Sequence, residues 1–217
     1  MPFAYIVGVK KAIIYLIIIH LSICMQAQTI QSVAREYYLR GVMEVGSGFK
    51  LNPDSTFQFF FSYGALDRSG EGRWTIANNQ VILNSRELPG KDFVLTERKK
   101  TTKEGITIRI TDPNKQLLNY VYCVLSSGAS KVEQMSNKDG LIHFPLSKAD
   151  TIMLTFEFCS ERSSTFVISD PTHNDFSFRF ETWLTEVFFK ELKLNITAEG
   201  LEGQHPLLKS GTYRFVK

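Results

Sequence analysis

Apolar residues at every second position are the feature of this sequence that most constrains its fold. Between residues 56 and 63, one face of the alternation carries Phe57, Phe59, Phe61 and Tyr63, and the other carries Gln58, Phe60 and Ser62. The same period recurs in three further sets, which are Ile106, Ile108 and Ile110; Ile152, Leu154, Phe156 and Phe158; and Phe176, Phe178 and Phe180. A period of two is typical of β-strands that bury one face. The sequence therefore predicts an all-β protein.

Turn signals between the first strands predict an antiparallel β-meander. Asn52-Pro53-Asp54-Ser55 predicts a turn between strands over 41–51 and 56–63, because Pro fixes φ and the Asp side chain bonds the backbone locally. Asn78-Asn79 predicts a tight hairpin turn between strands over 71–77 and 80–84. With a loop over 64–70 and a closing strand over 93–98, the expected first domain is a partial barrel spanning residues 28–98.

A charged segment predicts the start of a second domain. Residues 97–105 read ERKKTTKEG, where charge is dense and apolar residues are few. Beyond it, turns at Asp112-Pro113-Asn114 and Asn137-Lys138-Asp139-Gly140 separate apolar strands, which predicts a β-sandwich over residues 104–217. Residues 181–192 fit helical spacing as well as strand spacing, and strands over 192–196 and 211–216 are expected to close the sandwich.

The N-terminus predicts a signal peptide over residues 1–27. Lys10 and Lys11 precede the 13-residue apolar run 12–24, and the small residue Ala27 follows. A helix of that length spans only about 20 Å, short of the roughly 30 Å of a bilayer core. A cleaved leader predicts a secreted, periplasmic or cell-envelope protein with no transmembrane segment after cleavage. The alternatives are an uncleaved anchor lengthened by residues 5–9, and a lipoprotein, which is disfavoured because Ile23 precedes Cys24.

Removing the leader leaves little net charge. The chain has 25 Lys and Arg against 22 Asp and Glu, and the leader takes two lysines with it, which leaves a net charge near +1. The only dense basic run, Arg98-Lys99-Lys100 with Lys103, is flanked by acidic residues, so it is interpreted as solvated linker. Nucleic-acid binding needs a basic face with aromatic residues between the charges, and it is not expected.

Residues suited to catalysis are scarce. There are 17 Phe against 4 His and 3 Cys, and no nucleophile elbow, phosphate loop or zinc-protease motif occurs. The histidines outside the leader lie in a strand (His143) and in polar turns (His173, His205), and each is interpreted as a surface or turn residue. Asp170, His173 and Asp175 are considered as metal ligands, and Asp67 with Glu71 as an acid–base pair. The sequence assigns no catalytic, cofactor-binding or metal-binding residue.

Three further groups have two interpretations each. Cys123 and Cys159 are either a single disulfide of an exported protein or two buried thiols. Trp183, Phe188 and Phe189 form either an exposed stacking platform or, as favoured, part of the core. Asn195-Ile196-Thr197 fits a glycosylation acceptor, which matters only in a eukaryotic host.

The second domain contains GITIRITDPNKQLLNYVYCVLSSG, followed by SNKDGLIHFPLSKADTIMLTF. These segments resemble the carboxypeptidase-regulatory-like module, a transthyretin-like β-sandwich. The elements that match in order are 106–112, 120–125, the turn 137–140 and 152–156. The resemblance implies an accessory or binding module of a secreted or envelope protein, without catalytic residues.

The first domain contains FKLNPDSTFQFFFSYG and GEGRWTIANNQVIL, the second of which includes Gly72, Trp74, Ile76 and Val81. These segments resemble the small lipocalin-like domains of bacterial envelope proteins, with those four residues at the matching positions. About 60 residues are too few for a complete eight-stranded ligand barrel.

Three hypotheses of function follow. The first is a non-enzymatic binding module of a bacterial envelope, whose partner is an envelope protein or a polysaccharide. The second is a carrier of a small apolar ligand, which requires a cavity lined by Phe57, Phe59, Phe61 and Trp74. The third is a hydrolase at the domain junction, which requires at least two of Asp67, Glu71, His143, His173 and Asp175 to converge within about 10 Å.

Overall fold

A computed structural model describes residues 31–217, which divide into two compact units. The first unit contains residues 31–87 and 187–217, and the second contains residues 88–186. The predicted signal peptide, residues 1–27, lies outside the described residues and stays a prediction. No helix within residues 31–217 is long and apolar enough to cross a bilayer.

The first unit is a closed, antiparallel eight-stranded barrel. Numbered along the chain, its strands are β1 (Glu36–Arg40), β2 (Val45–Leu51), β3 (Thr56–Tyr63), β4 (Leu66–Ala77), β5 (Gln80–Ser85), β14 (Leu192–Ile196), β15 (Gly200–Gly203) and β16 (Tyr213–Val216). Their order around the barrel is β1-β16-β15-β14-β5-β4-β3-β2, with β2 closing onto β1. The all-β prediction is confirmed, and the barrel is complete where a partial one was expected.

The barrel closes because its last three strands come from the end of the chain. Strands β14 and β16 were expected to close the sandwich, but they pair with β5 and β1 instead. Leu194, Leu201 and Phe215 bring almost fully buried side chains to the barrel core. The two units therefore differ from the predicted domains 28–98 and 104–217, since the second unit is inserted between β5 and β14.

The predicted hairpins of the barrel are confirmed. In β2 and β3, Leu51 pairs with Phe57 across the turn at 52–55, where the Asp54 carboxylate accepts a hydrogen bond from the backbone N–H of Thr56. Asn78 and Asn79 both have positive φ, 51° and 59°, as the tight turn between β4 and β5 requires. The predicted loop 64–70 is wrong, because Tyr63 pairs directly with Leu66 and β4 begins there.

The second unit is a sandwich of two four-stranded sheets. Its strands are β6 (Phe93–Lys99), β7 (Ile106–Thr111), β8 (Val121–Ser127), β9 (Ser130–Met135), β10 (Leu141–Phe144), β11 (Thr151–Phe156), β12 (Ser164–Val167) and β13 (Asp175–Phe180), with short 3-10 helices at Lys115–Leu117 and Glu157–Cys159. The sheet orders are β10-β7-β13-β6 and β12-β11-β8-β9. All strand pairs are antiparallel except β7 with β13. The apolar side chains of both sheets form one core.

The charged segment 97–105 is part of the sandwich and not a linker between domains. Strand β6 continues through Lys99 and pairs with β13. The following loop is fastened by Asn174, whose side chain accepts from Thr101 N at 2.7 Å and donates to the carbonyls of Lys103 and Gly105 at 2.8 and 3.2 Å. Charge density alone therefore placed the boundary about ten residues too late.

The structure shows where β11 ends and which state the two cysteines of the second unit adopt. Phe158 does not extend β11, because the chain turns into a 3-10 helix at Glu157. Cys123 and Cys159 are both buried thiols, and burial raises the pKa of Cys123 to about 12. Of the two interpretations of the cysteines, buried thiols is the one observed.

Candidate functional site

The outer wall of the barrel carries an exposed aromatic pair that spans neighbouring strands. Alternation along β1, β2 and β3 sends Tyr37, Phe49 and Phe59 inward and leaves Tyr38, Gly48 and Phe60 on the outer face. Register aligns these three outer residues, since Tyr38 pairs with Gly48 and Gly48 pairs with Phe60. Tyr38 is 42% exposed and Phe60 is 41% exposed.

Gly48 allows the two rings to approach each other. Their centroids are 6.1 Å apart and the rings meet edge to face at 61°. A Cβ at Gly48 would lie 2.9 Å from a ring carbon of Phe60 and 2.3 Å from the carbonyl oxygen of Tyr37. The glycine therefore forms the floor between the rings, and a side chain there would displace them.

Polar side chains border this aromatic pair along the strands. On one side the Lys50 ammonium lies 3.5 Å from the Glu36 carboxylate, and Gln58 and Glu71 continue the row in register. On the other side the Ser62 hydroxyl donates to Asp67 at 2.6 Å. We call this surface, formed by Tyr38, Gly48 and Phe60 with their polar neighbours Glu36, Lys50, Gln58, Ser62, Asp67 and Glu71, the wall surface.

Tyr38 itself joins the aromatic and polar parts of the wall surface. Its hydroxyl donates to a Glu36 oxygen at 2.5 Å, and this bond raises the pKa of the Tyr38 hydroxyl above its usual value. The phenol is therefore held in its protonated form with a fixed orientation. An aromatic face with hydrogen-bonding groups at its edges suits a ligand that has both apolar C–H faces and polar edges.

The barrel interior holds a buried histidine. His205 is 5% exposed, and its ring stacks on Phe215 with centroids 6.0 Å apart and planes at 14°. Its Nδ1 accepts from the backbone N–H groups of Leu207 and Leu208, at 3.0 and 3.2 Å. The proton of the neutral ring is therefore on Nε2, which donates to the Ser47 hydroxyl at 2.9 Å.

This histidine has a structural role. The Ser47 hydroxyl donates onward to the Phe60 carbonyl at 2.8 Å, which completes the hydrogen bonds of the group. Burial lowers the pKa of His205 from 6.5 to about 4, so the ring is neutral at physiological pH. The sequence placed His205 in a polar turn, and the residues around it, Gly203 and Pro206, gave no sign of its burial.

The side chains expected to line a ligand cavity are buried and pack against other residues of the barrel core. Phe57, Phe59 and Trp74 are 1% exposed and Phe61 is 8% exposed. Phe57 stacks on Phe189 at 5.6 Å, while Phe59 and Phe61 contact the His205 ring at 5.7 and 5.6 Å. The Trp74 indole N–H donates to the Asn52 carbonyl at 3.1 Å.

Of the five residues considered for hydrolysis, Asp175 lies within roughly 10 Å of both His173, two residues away in the chain, and His143, but its carboxylate is engaged by Arg109. His143 and Asp175 flank Thr107 on three adjacent strands, about 10 Å apart at two strand spacings. The Asp175 carboxylate is held by Arg109 through bonds of 3.2 and 3.1 Å, and His143 Nδ1 lies 3.2 Å from the Thr107 hydroxyl. Asp67 is bonded to Ser62, as described above, and Glu71 is an exposed residue of the same strand.

The proposed metal ligands do not assemble into a site. His173 Nδ1 lies 3.8 Å from an Asp170 oxygen, and that carboxylate also accepts bonds from Thr172, while Asp175 faces Arg109. Among residues 31–217, no three His, Cys, Asp or Glu side chains are grouped to hold a metal ion.

His173 instead borders a shallow cleft at the edge of the sandwich. Phe166, Phe176 and Phe178 contribute to its apolar lining, and its empty space is about 260 Å³ including the open mouth. Arg98 at the rim donates to the Ser169 hydroxyl at 3.1 Å. The Arg98 guanidinium is therefore engaged by a neighbouring residue, whereas the buried Nδ1 of His173 has no hydrogen-bond partner among the residues that the structure describes.

Trp183, Phe188 and Phe189, for which core packing was favoured over an exposed stacking platform, do not form the exposed aromatic pair of the barrel wall. Phe189 packs in the barrel core, as favoured, and Phe188 faces the Arg86 guanidinium at 5.4 Å, while Trp183 is half-buried. The exposed aromatic pair is Tyr38 with Phe60. A signal for it existed, since Phe60 occupies a position where the alternation of β3 predicts a solvent-facing residue.

Comparison with known proteins finds no match, whether among family models, curated proteins or solved structures. The class defined here is an all-β protein with a closed barrel, an inserted sandwich and an exposed aromatic surface on the barrel wall.

Proposed function

We propose that this chain is an exported, non-enzymatic binding protein of a bacterial cell envelope, and that it binds a neutral polysaccharide on the wall surface. The observation that carries the proposal is the exposed Tyr38–Phe60 pair set over Gly48. Export and envelope location rest on the leader pattern of residues 1–27.

The chemistry of the wall surface favours a sugar. A pyranose ring has C–H faces that pack on aromatic rings and hydroxyls that bond to groups at the ring edges. Tyr38 and Phe60 supply the rings, while Gln58 and Ser62, which flank Phe60 on the outer face of β3, supply uncharged hydrogen-bonding groups. The arrangement runs across strands on an open surface, so it admits a chain of sugars rather than a single enclosed ligand.

The charges of the wall surface favour a neutral polysaccharide over an anionic one. Its carboxylates, Glu36, Asp67 and Glu71, outnumber its single ammonium, Lys50, even when it is counted together with the exposed Arg40 two residues from Tyr38 on the same face. A polysaccharide rich in sulfate, phosphate or uronate would be repelled by this excess.

The other two hypotheses have less support. The aromatic packing inside the barrel argues against a small-ligand carrier, because Phe57 and Phe59, which would line the cavity, contact the rings of Phe49, Phe189 and His205. The engagement of Asp175 with Arg109 argues against a hydrolase that uses that carboxylate as acid or base.

Titration calorimetry with soluble glycans tests the proposal. Dextran, a soluble β-glucan and chitooligosaccharides serve as neutral probes, and dextran sulfate serves as the anionic comparison. We expect binding to at least one neutral probe and weaker binding to dextran sulfate than to dextran. Binding to dextran sulfate alone, or to none of the probes, would overturn the proposal.

A further inference from the structure

We propose that this chain forms a two-fold symmetric dimer in which β9 pairs antiparallel with β9 of a second copy. The interface lies in the sandwich unit and does not depend on the wall surface or on the function proposed for it. The charges of β9 and its outward-pointing backbone groups determine how a second copy of the strand can pair with it.

Strand β9 is an open edge of its sheet. It is the last strand in the order β12-β11-β8-β9, and it pairs with β8 along its whole length, from Ser127–Ser130 to Tyr122–Met135. All six of its residues are exposed, including the apolar Val132 at 36% and Met135 at 40%. An open edge of this kind is a template for pairing with another strand.

The hydrogen bonds to β8 determine which backbone groups of β9 point outward. Ser136 N donates to the Val121 carbonyl at 2.9 Å, so this residue is in a hydrogen-bonded pair. Such pairs alternate in an antiparallel ladder. Gln134, Val132 and Ser130 therefore bond to β8, and Lys131, Glu133 and Met135 direct their N–H and C=O groups away from the sheet.

Only some registers of two β9 strands match these outward groups. A two-fold axis at Val132 places Lys131 opposite Glu133 of the partner subunit, and Glu133 opposite Lys131 of the partner subunit. Both residues then present outward backbone groups to each other, which allows mutual N–H···O=C bonds. A shift by one residue would set these groups against Val132, whose own groups bond to β8.

Charge selects the register at Val132 among those that remain. Opposite charges directly across a strand pair are stabilising, and like charges are destabilising. Axes at Lys131 or Glu133 would each place a residue opposite its own copy, with like charges facing. The axis at Val132 instead gives two Lys–Glu pairs.

The sides of the sheet on which the β9 side chains lie are also compatible with this register. Val132 is paired with the core residue Leu125, so it lies on the core-facing side of the sheet, and Lys131 and Glu133 lie on the solvent side. The two valines meet at a non-hydrogen-bonded position, where Cα atoms are about 4.5 Å apart. The dimer therefore buries an exposed apolar residue and leaves the charged pairs at the surface.

The dimer is expected to be weak and dependent on concentration. Six residues on each side bury far less than the roughly 1,600 Å² of a standard protein interface. A lysine on an edge strand can also prevent pairing with other strands. The experiment must therefore distinguish a Lys131 that pairs with Glu133 of the partner subunit from a Lys131 that prevents pairing.

Charge-swap variants followed by sedimentation equilibrium test the proposal. In the purified protein, the weight-average mass should rise with concentration from that of a monomer towards twice that value. Lys131→Glu and Glu133→Lys each place like charges opposite one another, so each should lower the association constant at least tenfold. The double variant Lys131→Glu/Glu133→Lys restores opposite charges and should restore dimerisation.

The exposed Lys148 supplies the control for net charge. Lys148→Glu changes the total charge as much as Lys131→Glu and should leave the association constant unchanged. A wild-type protein that is monomeric at all concentrations would contradict the proposal. Single variants that associate as strongly as wild type would also contradict it. Single variants that associate more strongly would contradict it as well, because they would show that Lys131 prevents pairing. A double variant that stays monomeric would contradict the Lys–Glu pairing.

Discussion

At His205 the packing of one imidazole makes the stability of the barrel depend on pH. The pKa of the folded ring is about 4, below the unfolded value of 6.5, because the ring is buried. As the pH falls, the histidine of the unfolded state therefore becomes protonated at a higher pH than the histidine of the folded state. Stability from this residue is therefore full above pH 6.5 and is lost as the pH falls towards 4.

We expect this loss to reach about 3 kcal/mol in the free energy of unfolding, from a pKa difference of roughly two and a half units. Urea unfolding of wild type and His205→Gln at pH 7.5 and pH 4.5 measures it. The variant should be less stable at pH 7.5 but should lose less stability on acidification. Equal losses in the two proteins would show that His205 does not carry the effect.

Gly48 makes a second prediction at the residue scale. Gly48→Ala should destabilise the barrel by about 1–3 kcal/mol, because its Cβ would meet the Tyr37 carbonyl at 2.3 Å and the Phe60 ring at 2.9 Å. Gly46→Ala is the matched control, since it lies on the same strand and the nearest atom to its Cβ is 3.8 Å away. Equal effects of the two substitutions on urea unfolding would contradict the close approach at Gly48.

At the scale of elements, Arg162 joins the two ends of the inserted sandwich. Its Nε donates to the Asp92 carboxylate at 2.8 Å, just before β6, and its other nitrogens donate to the carbonyls of Glu186 and Leu184, both at 2.6 Å. The two side chains are buried, with Asp92 at 5% and Arg162 at 13% exposure. Removing one partner leaves a buried charge without its counter-ion.

Arg162→Ala should therefore lower the free energy of unfolding of the sandwich by about 3–5 kcal/mol. The control is Lys99→Ala, which removes an exposed ion pair with Glu97 and should cost about 0–1 kcal/mol. Thermal unfolding of both variants checks the prediction. A destabilisation by Arg162→Ala no larger than that of the control would contradict the role of the buried pair.

Local elements of this fold could be predicted from the sequence because their causes are local. The hairpin turns at 52–55 and 78–79 follow from residues that tolerate the required φ values, and the inward faces of β3 and β13 follow from alternation. Strand β9 was missed because all six of its residues are exposed, so no apolar alternation marks it. Residues 181–192, which fit helical and strand spacing equally, form a turn at 182–185 and irregular chain up to Leu192, where β14 begins.

At the scale of the whole molecule, the pairing of distant strands could not be predicted. Nothing in the pattern of β14 or β16 distinguishes a barrel strand from a sandwich strand, since both have one buried face. The insertion of residues 88–186 between β5 and β14 is therefore visible only in the fold. The wall surface could not be predicted from the sequence for the same reason, because Tyr38 and Phe60 are brought together only by the register of β1, β2 and β3.

The central claim is that the exposed rings of the wall surface bind a neutral polysaccharide. The most direct measurement is affinity electrophoresis in gels that contain the neutral glycan bound by wild type, with Tyr38→Ala, Phe60→Ala and Tyr63→Ala compared in parallel. Tyr63 is the matched control, because it is 52% exposed on the same strand as Phe60 but belongs to the inward-facing set.

We predict that each of the first two substitutions weakens binding by about 2- to 12-fold, the range that corresponds to about 0.5–1.5 kcal/mol per aromatic contact. Tyr63→Ala should migrate like wild type. Unchanged retardation of both Tyr38→Ala and Phe60→Ala, or an equal loss in Tyr63→Ala, would contradict the assignment of the wall surface as the binding site.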